Sequence, residues 1–279
     1  MKKTTLLLCT LLFITSFSCE QAPIPAPSSE INMFIAIHNE PGSFNAWGDY
    51  QEEKWPALVS LVESADGYGH TLTLLFNPQW ATYILDNEER LALVRQWESH
   101  GHELGVHCHG VNTQVNWNGY TNNDEYKIRQ EYLGTMQDMM DLLNRLPVSG
   151  QMKTSATTDD SSEIDYPPGI IYDVDGGASE YEDLVSTPFA LTWGDSELIG
   201  LKHARFTDAA GSGISVGTDD ILTAMQEYEE GQVLGIVFHT FEYYDNPGPY
   251  DLLFAFLAER GVHTKTVSSI LEESFITAD

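Results

Sequence analysis

From Asn32 onward, short apolar and β-branched runs alternate with longer stretches of helical spacing, and that alternation narrows the possible folds more than any other feature of the chain. Asn32 to His38, Thr71 to Phe76, Glu103 to His109, Gly169 to Tyr172 and Val233 to His239 have the length and composition of strands. Trp55 to Glu63, Glu88 to Glu98, Asp124 to Arg145, Asp219 to Glu229 and Tyr250 to Arg260 read as helices, the last closed by Gly261. In the third of these helices Tyr132, Met136, Met139, Met140 and Leu143 form one apolar stripe, read here as core packing because methionine fills irregular gaps. Such alternation builds an α/β fold whose sheet is mostly parallel with helices outside it, either open or closed into a barrel. No internal repeat or mid-chain linker interrupts the pattern, so a single domain is expected.

Three of these strands end in histidine: His38, His107 with His109, and His239. Strand residues two apart share a face, so His107 and His109 project together while Cys108 points away as a small buried hydrophobe. Two imidazoles on one face chelate a metal when oxygen ligands lie close, and Asn39 and Glu40 directly follow the first strand. His107, His109, Asn39 and Glu40 are therefore candidate ligands for a divalent metal, zinc being the first choice. The bland alternative is a pair of hydrogen-bonded histidines beside a loop. In a barrel, strand C-terminal ends carry the chemistry, and the histidines stand at such ends.

Thirteen Lys and Arg against 42 Asp and Glu give a net charge of −29, which argues against nucleic acid or any other polyanion as a partner. With 42% hydrophobic residues the chain is too apolar for an acidic disordered tail, so the charge belongs to a solvated surface. Lys2 and Lys3, the apolar run Leu6 to Ile14 and the small residues before Cys19 read as a signal peptide over residues 1–18, too short to span a membrane. Ser18-Cys19 sits where a bacterial lipoprotein would be cleaved and acylated, although Ser16 stands where such sites usually carry leucine. Residues 19–30, with Pro23, Pro25 and Pro27, then form an extended tether. The expectation is an exported protein, either secreted or a cell-envelope lipoprotein at the outer membrane or periplasmic face, whose only membrane contact is a lipid anchor at Cys19. Beyond that leader only Cys108 remains, so no intrachain disulfide is expected.

Gly101-His-Glu-Leu-Gly-Val-His107 resembles the Gly-His-Glu-(Ile/Leu)-Gly-x-His stretch of the polysaccharide deacetylase family of carbohydrate esterases. Thr71 to Trp80 is similar to that family's second strand and following turn, Gly235 to His239 to the strand bearing its late catalytic histidine, and Asp251 to Val262 to its closing helix and strand. The resemblance covers roughly Asn32 to Glu272 and implies a distorted (β/α)7-type barrel as one domain over residues 31–279. It also implies a divalent metal with His107 as ligand, His239 as the group that protonates the leaving atom, and a glycan substrate. Two motifs diverge. The family's first strand ends Asp-Asp-Gly-Pro, whereas this chain reads His38-Asn39-Glu40-Pro41. Aligning on proline puts His38 at the base and Asn39 at the metal; a shift of one puts Asn39 at the base and Glu40 at the metal. The family's second metal histidine would fall on Val111, with His109 two residues away as its replacement, and Lys153-Thr-Ser-Ala-Thr-Thr stands where an Arg-Pro-Pro-type segment is expected.

Sugar rings pack their C–H faces on aromatic planes, and Trp47, Trp80, Trp117, Tyr120, Trp193, Phe241, Tyr243 and Tyr244 fall near strand ends. Trp117 and Tyr243 lie in polar, Gly- or Pro-containing loops and are the first candidates for a sugar platform, with Trp80 beside them. The leading reading is an exported metal-dependent hydrolase that removes acyl groups from a polysaccharide or oligosaccharide, with His38 or Glu40 taking a proton and His239 protonating the leaving group. The alternative is a non-catalytic glycan-binding lipoprotein on the same barrel. A two-histidine-carboxylate iron oxygenase would use similar ligands on a different fold.

Overall fold

Strands buried on both faces are the signature of a parallel sheet covered by helices outside and packed against itself inside, and the central strands of this chain are of that kind. The structure, a computed structural model, describes residues 30–113, 116–159, 165–174, 183–207 and 215–276. The expected signal peptide, the tether up to Ser29 and the lipidation site Cys19 lie outside the described residues. No described helix is long and apolar enough to cross a membrane.

The strands are β1 (Met33–Asn39), β2 (Thr73–Phe76), β3 (Glu103–His109), β4 (Thr154–Thr158), β5 (Tyr172–Asp173), β6 (Val185–Ser186), β7 (Phe189–Trp193), β8 (Ser196–Gly200), β9 (Ala204–Phe206), β10 (Ser215–Val216) and β11 (Val233–His239). They form one 11-stranded sheet in the order β10-β9-β11-β1-β2-β3-β4-β5-β8-β7, with β6 on the flank of β11. Pairing is parallel from β10 through β8, and antiparallel in the β7–β8 hairpin and the β6–β11 pair. Around the sheet lie α1 (Asp49–Gly67), α2 (Pro78–Leu85), α3 (Glu88–Ser99), α4 (Met136–Leu143), α5 (Thr218–Gln226), α6 (Thr240–Asp245), α7 (Gly248–Glu259) and α8 (Val267–Ile276).

The core has two layers, divided by strand parity. Met33, Ile35 and Ile37 of β1 join Val106 and Cys108 of β3 and Ile236 and Phe238 of β11 in the cluster that also holds the helices' apolar residues. Phe34 and Ala36 join Leu75, Ala156 and Val237 in a second cluster on the inner face. An inner cluster shared by strands this far apart in the sheet requires the sheet to curl, as in the expected barrel. Among the described residues the two end strands, β10 and β7, do not pair, so hydrogen bonding leaves the barrel open.

The helix expected over Asp124 to Arg145 is reduced to α4. Thr135 caps it, its hydroxyl accepting from the Asp138 amide while the Asp138 side chain accepts from the Thr135 amide. Upstream, Leu133 donates to the Gly119 carbonyl and Thr121 to the Gly134 carbonyl, which takes Tyr132 out of the helical stripe. Met136, Met139, Met140 and Leu143 are buried in the outer core layer. The strand expected at Gly169 to Tyr172 begins instead at Tyr172. Gly261, just past α7, has φ of 68° and closes that helix as a left-handed residue.

Gly235 in the middle of β11 is demanded by close approach. A Cβ there would sit 2.2 Å from the Lys202 carbonyl oxygen and 2.6 Å from the Phe34 ring. Gly235→Ala must therefore push β11 away from the chain entering β9, and a loss of about 1–3 kcal/mol of stability is expected, measurable as a shifted denaturation midpoint.

Candidate metal centre

Parity places the histidines. His38 follows Phe34 and Ala36 on the inner face of β1, His107 and His109 alternate with the outward Val106 and Cys108 on β3, and His239 follows Val237 on β11. The register aligns His38 with His239 directly. The four imidazoles meet at the C-terminal end of the sheet in a cavity of about 670 Å³, together with Glu40, Tyr50, His203, Arg205 and Phe241.

Glu40 is the hub. Its Oε1 lies 3.2 Å from His107 Nε2 and 3.4 Å from His239 Nε2, and its Oε2 lies 3.4 Å from His109 Nε2. The Nε2 atoms of His107 and His109 are 2.9 Å apart. The other ring nitrogens face acceptors: His107 Nδ1 lies 3.3 Å from the Ala156 carbonyl, His109 Nδ1 2.9 Å from the Asn116 carbonyl, and His239 Nδ1 2.9 Å from Glu242 Oε2. Each Nδ1 thus faces an acceptor while each Nε2 faces the Glu40 carboxylate, and the tautomer that keeps the proton on Nδ1 leaves Nε2 free to ligate a cation. In that tautomer three lone pairs and a carboxylate converge, which is the arrangement of a cation site.

Burial lowers His109 to about 4, and the neighbouring His107 adds to the shift, so His109 is neutral and able to ligate near pH 7. Burial alone would push the Glu40 carboxyl up, but the facing imidazoles, His107 foremost, outweigh it and hold Glu40 well below the usual carboxylate range. His38 is shifted well below the usual imidazole range by burial and then by His107, and its Nε2 is buried with no hydrogen-bond partner. Glu40, His107 and His109 form one group with metal-ligand spacing, and His38, Glu40 and His239 form another. The donor set therefore fits a divalent ion.

Asn39 stands apart from the expected ligand set. Its parity turns it outward, where its amide donates to the Leu75 carbonyl at 3.0 Å and accepts from the Thr240 hydroxyl at 2.7 Å. The oxygen that faces the imidazoles belongs to Glu40. The three aromatic side chains expected to carry sugar are also placed elsewhere. Trp80 is fully buried and donates to the Glu40 carbonyl at 2.8 Å, Trp117 donates to the Tyr120 carbonyl at 3.1 Å, and Tyr243 donates to Asp251 at 2.9 Å. None of them lines the cavity; an aromatic platform needs an exposed face, and these rings are packed into the protein. The aromatic residues that do line it are Tyr50 and Phe241.

Sequence reasoning missed three polar members. His203 is buried, lowered to about 4 chiefly by burial, and leaves Nδ1 without a partner. Glu242 accepts from both the backbone amide and Nδ1 of His239, and Arg205 donates to its Oε1. The available signal was slight: His203, Arg205 and the residues between and around them alternate polar and apolar over a stretch too short to mark as a strand.

No family model matches the chain. No curated protein matches it in sequence. Among solved structures it is similar to 4-alpha-glucanotransferase from Thermococcus litoralis, with a TM-score of 0.52 and 15% identity over 87% of this chain, which spans 40% of that one. It is equally similar to a Mycobacterium smegmatis protein assigned to the polysaccharide deacetylases, with a TM-score of 0.52 and 16% identity over 91% of this chain and 95% of the other. Peptidoglycan deacetylase PdaC from Bacillus subtilis follows at a TM-score of 0.44 and 13% identity, covering 89% of this chain and 94% of its own. The likenesses at 0.52 show the fold: a single-domain α/β protein with a curled, mostly parallel sheet of the deacetylase-like barrel type.

Proposed function

We propose that this protein is a metal-dependent hydrolase that removes acyl groups from a glycan. The observation that carries the proposal is the convergence of the His107, His109 and His239 Nε2 atoms on the Glu40 carboxylate inside an open cavity. The fold shared with a protein assigned as a polysaccharide deacetylase supports it. The glucanotransferase shares the fold as well, but glycosyl transfer uses a pair of carboxylates flanking the sugar bond. Among the described residues lining the cavity, Glu40 is the one carboxylate, and it is turned to imidazoles.

Glu40, His107 and His109 would hold the divalent ion, zinc being the first to test. When bound, such an ion polarises the acyl carbonyl as a Lewis acid. The protein's own part is the handling of one proton. A water oxygen adds to the acyl carbon and its proton passes to His239 Nε2; the carbon–nitrogen or carbon–oxygen bond to the sugar then breaks, and the same proton moves to the leaving atom. Glu242 positions the ring by accepting from Nδ1, and Arg205 holds Glu242 in place. His38 and Glu40 are less suited to take the proton, because their surroundings favour the deprotonated form of each. Tyr50 and Phe241 offer apolar surface to a sugar ring. The non-catalytic glycan-binding reading, which rests on the altered first motif, loses the two aromatic platforms it would use, since Trp117 and Tyr243 are buried. Export, with a lipid anchor at Cys19, remains part of the proposal and would bring the domain to extracellular glycan.

The test is acetate release from N-acetylated and O-acetylated oligosaccharides by the purified protein after zinc is restored. Release above the metal-free background is expected. Oligosaccharide binding without acetate release under every divalent metal tried would overturn the hydrolase reading.

A further inference from the structure

We infer that the cavity accepts a second divalent cation, joined to the first through Glu40 and held on its other side by His38 and His239, and that this second ion inhibits the enzyme. Only the inhibitory consequence rests on the hydrolase reading; the site itself rests on geometry.

Two groups of ligand atoms share Glu40. In each, one atom per residue lies within 4.8 Å of the others: Glu40 with His107 and His109, and Glu40 with His38 and His239. The carboxylate presents one oxygen to each side of the pair, and Oε1 is shared between them. Oε2 faces His109 and Oε1 faces His239, with His107 also near Oε1. A catalytic ion with an open position uses three protein ligands, so the His107–His109–Glu40 set is complete without His38 or His239. His38 is then unexplained. The residue is 4% exposed, its Nε2 has no partner, and its ring stands edge-on to His239 with centroids 5.2 Å apart. A buried polar atom left unpaired is destabilising and calls for a reason. An ion entering the cavity that His38 lines would give this nitrogen a partner.

The second ion binds more weakly for an electrostatic reason. It shares the single negative charge of Glu40 with the first and is repelled by it across a short distance. Its occupancy is nevertheless favoured by a chain of net charge −29, which raises the local concentration of dications. Inhibition follows from His239. The lone pair that ligates the second ion is the one that must receive and return the proton, and a ligating imidazole cannot do both.

The test is a metal titration of the full chain, first stripped with a chelator, using zinc and then manganese, with bound metal measured by calorimetry and elemental analysis. The wild type is expected to bind two equivalents, one for each group, the second at least about tenfold more weakly. Acetate release should rise through the first and fall through the second. His38→Ala should bind one equivalent and escape inhibition by excess metal. His38→Gln serves the same purpose if the alanine variant does not fold, as judged by circular dichroism. The variants keep the acidic surface, so they also report any cations held there. One equivalent in the saturated wild type, or two in a folded His38 variant, would overturn the inference. If no acetate is released at any loading but His38→Ala loses the second equivalent, the hydrolase reading fails and the two-ion site stands.

Discussion

Replacing His239 with alanine is expected to lower turnover by about 10²- to 10⁴-fold while changing glycan affinity little. The ring sits on the cavity wall with Nδ1 held by Glu242 and Nε2 turned inward. Removing it takes away the group that carries the proton, a contribution made in the transition state and only slightly in the bound substrate. Glu242→Gln separates positioning from chemistry. The amide occupies the same space, but it is neutral and no longer stabilises the charged ring, so kcat should fall by about 10- to 100-fold with KM nearly unchanged. Steady-state kinetics on one acetylated oligosaccharide reads both. A loss below about tenfold for His239→Ala would remove this residue from the proton path.

His107→Ala and His109→Ala should each abolish retention of the tightly bound ion, and with it activity. These imidazoles are held from behind by the Ala156 and Asn116 carbonyls, which orient the rings and raise their basicity as ligands. Even partners of this outer kind are worth about 10- to 100-fold in metal affinity, so loss of a ligand itself should exceed that. The measurement is metal content after dialysis against a weak chelator, with circular dichroism to confirm the fold. Metal retained at wild-type level in either folded variant would place the ion elsewhere. His109 carries a further role, since its backbone amide donates to the Asn118 side-chain oxygen, and the Asn118 backbone carbonyl accepts from the Gln79 side chain of α2. Neither contact uses the imidazole, so both persist in an alanine variant, which loses only the side chain's contact to the Asn116 carbonyl.

The alternation of apolar runs and helical stretches determined the class of fold, because strand and helix periodicities are local and survive in any α/β arrangement. The same local rule determined which face each strand-end histidine takes. Once β1, β3 and β11 are strands, residues two apart must share a side, and His38, His107, His109 and His239 fall on the inner one. The choice between Asn39 and Glu40 was not local in this sense. It depends on where β1 ends: Asn39 is its last residue and turns outward, whereas Glu40 lies beyond the strand and is released to turn inward. Trp80 makes that turn specific by donating to the Glu40 carbonyl, a contact between segments far apart in the chain. His203, Arg205 and Glu242 became visible only when β9 was placed against β11, since their meaning lies in what faces them across the cavity. The aromatic residues divided in the same way. Loop composition offered Trp117 and Tyr243 as surface platforms, but burial is decided by what packs on top of a residue, and in the folded chain other residues cover both rings. Periodicity along the chain therefore determined the directions of the side chains, and only the curl of the sheet and the course of its loops decided which of them meet.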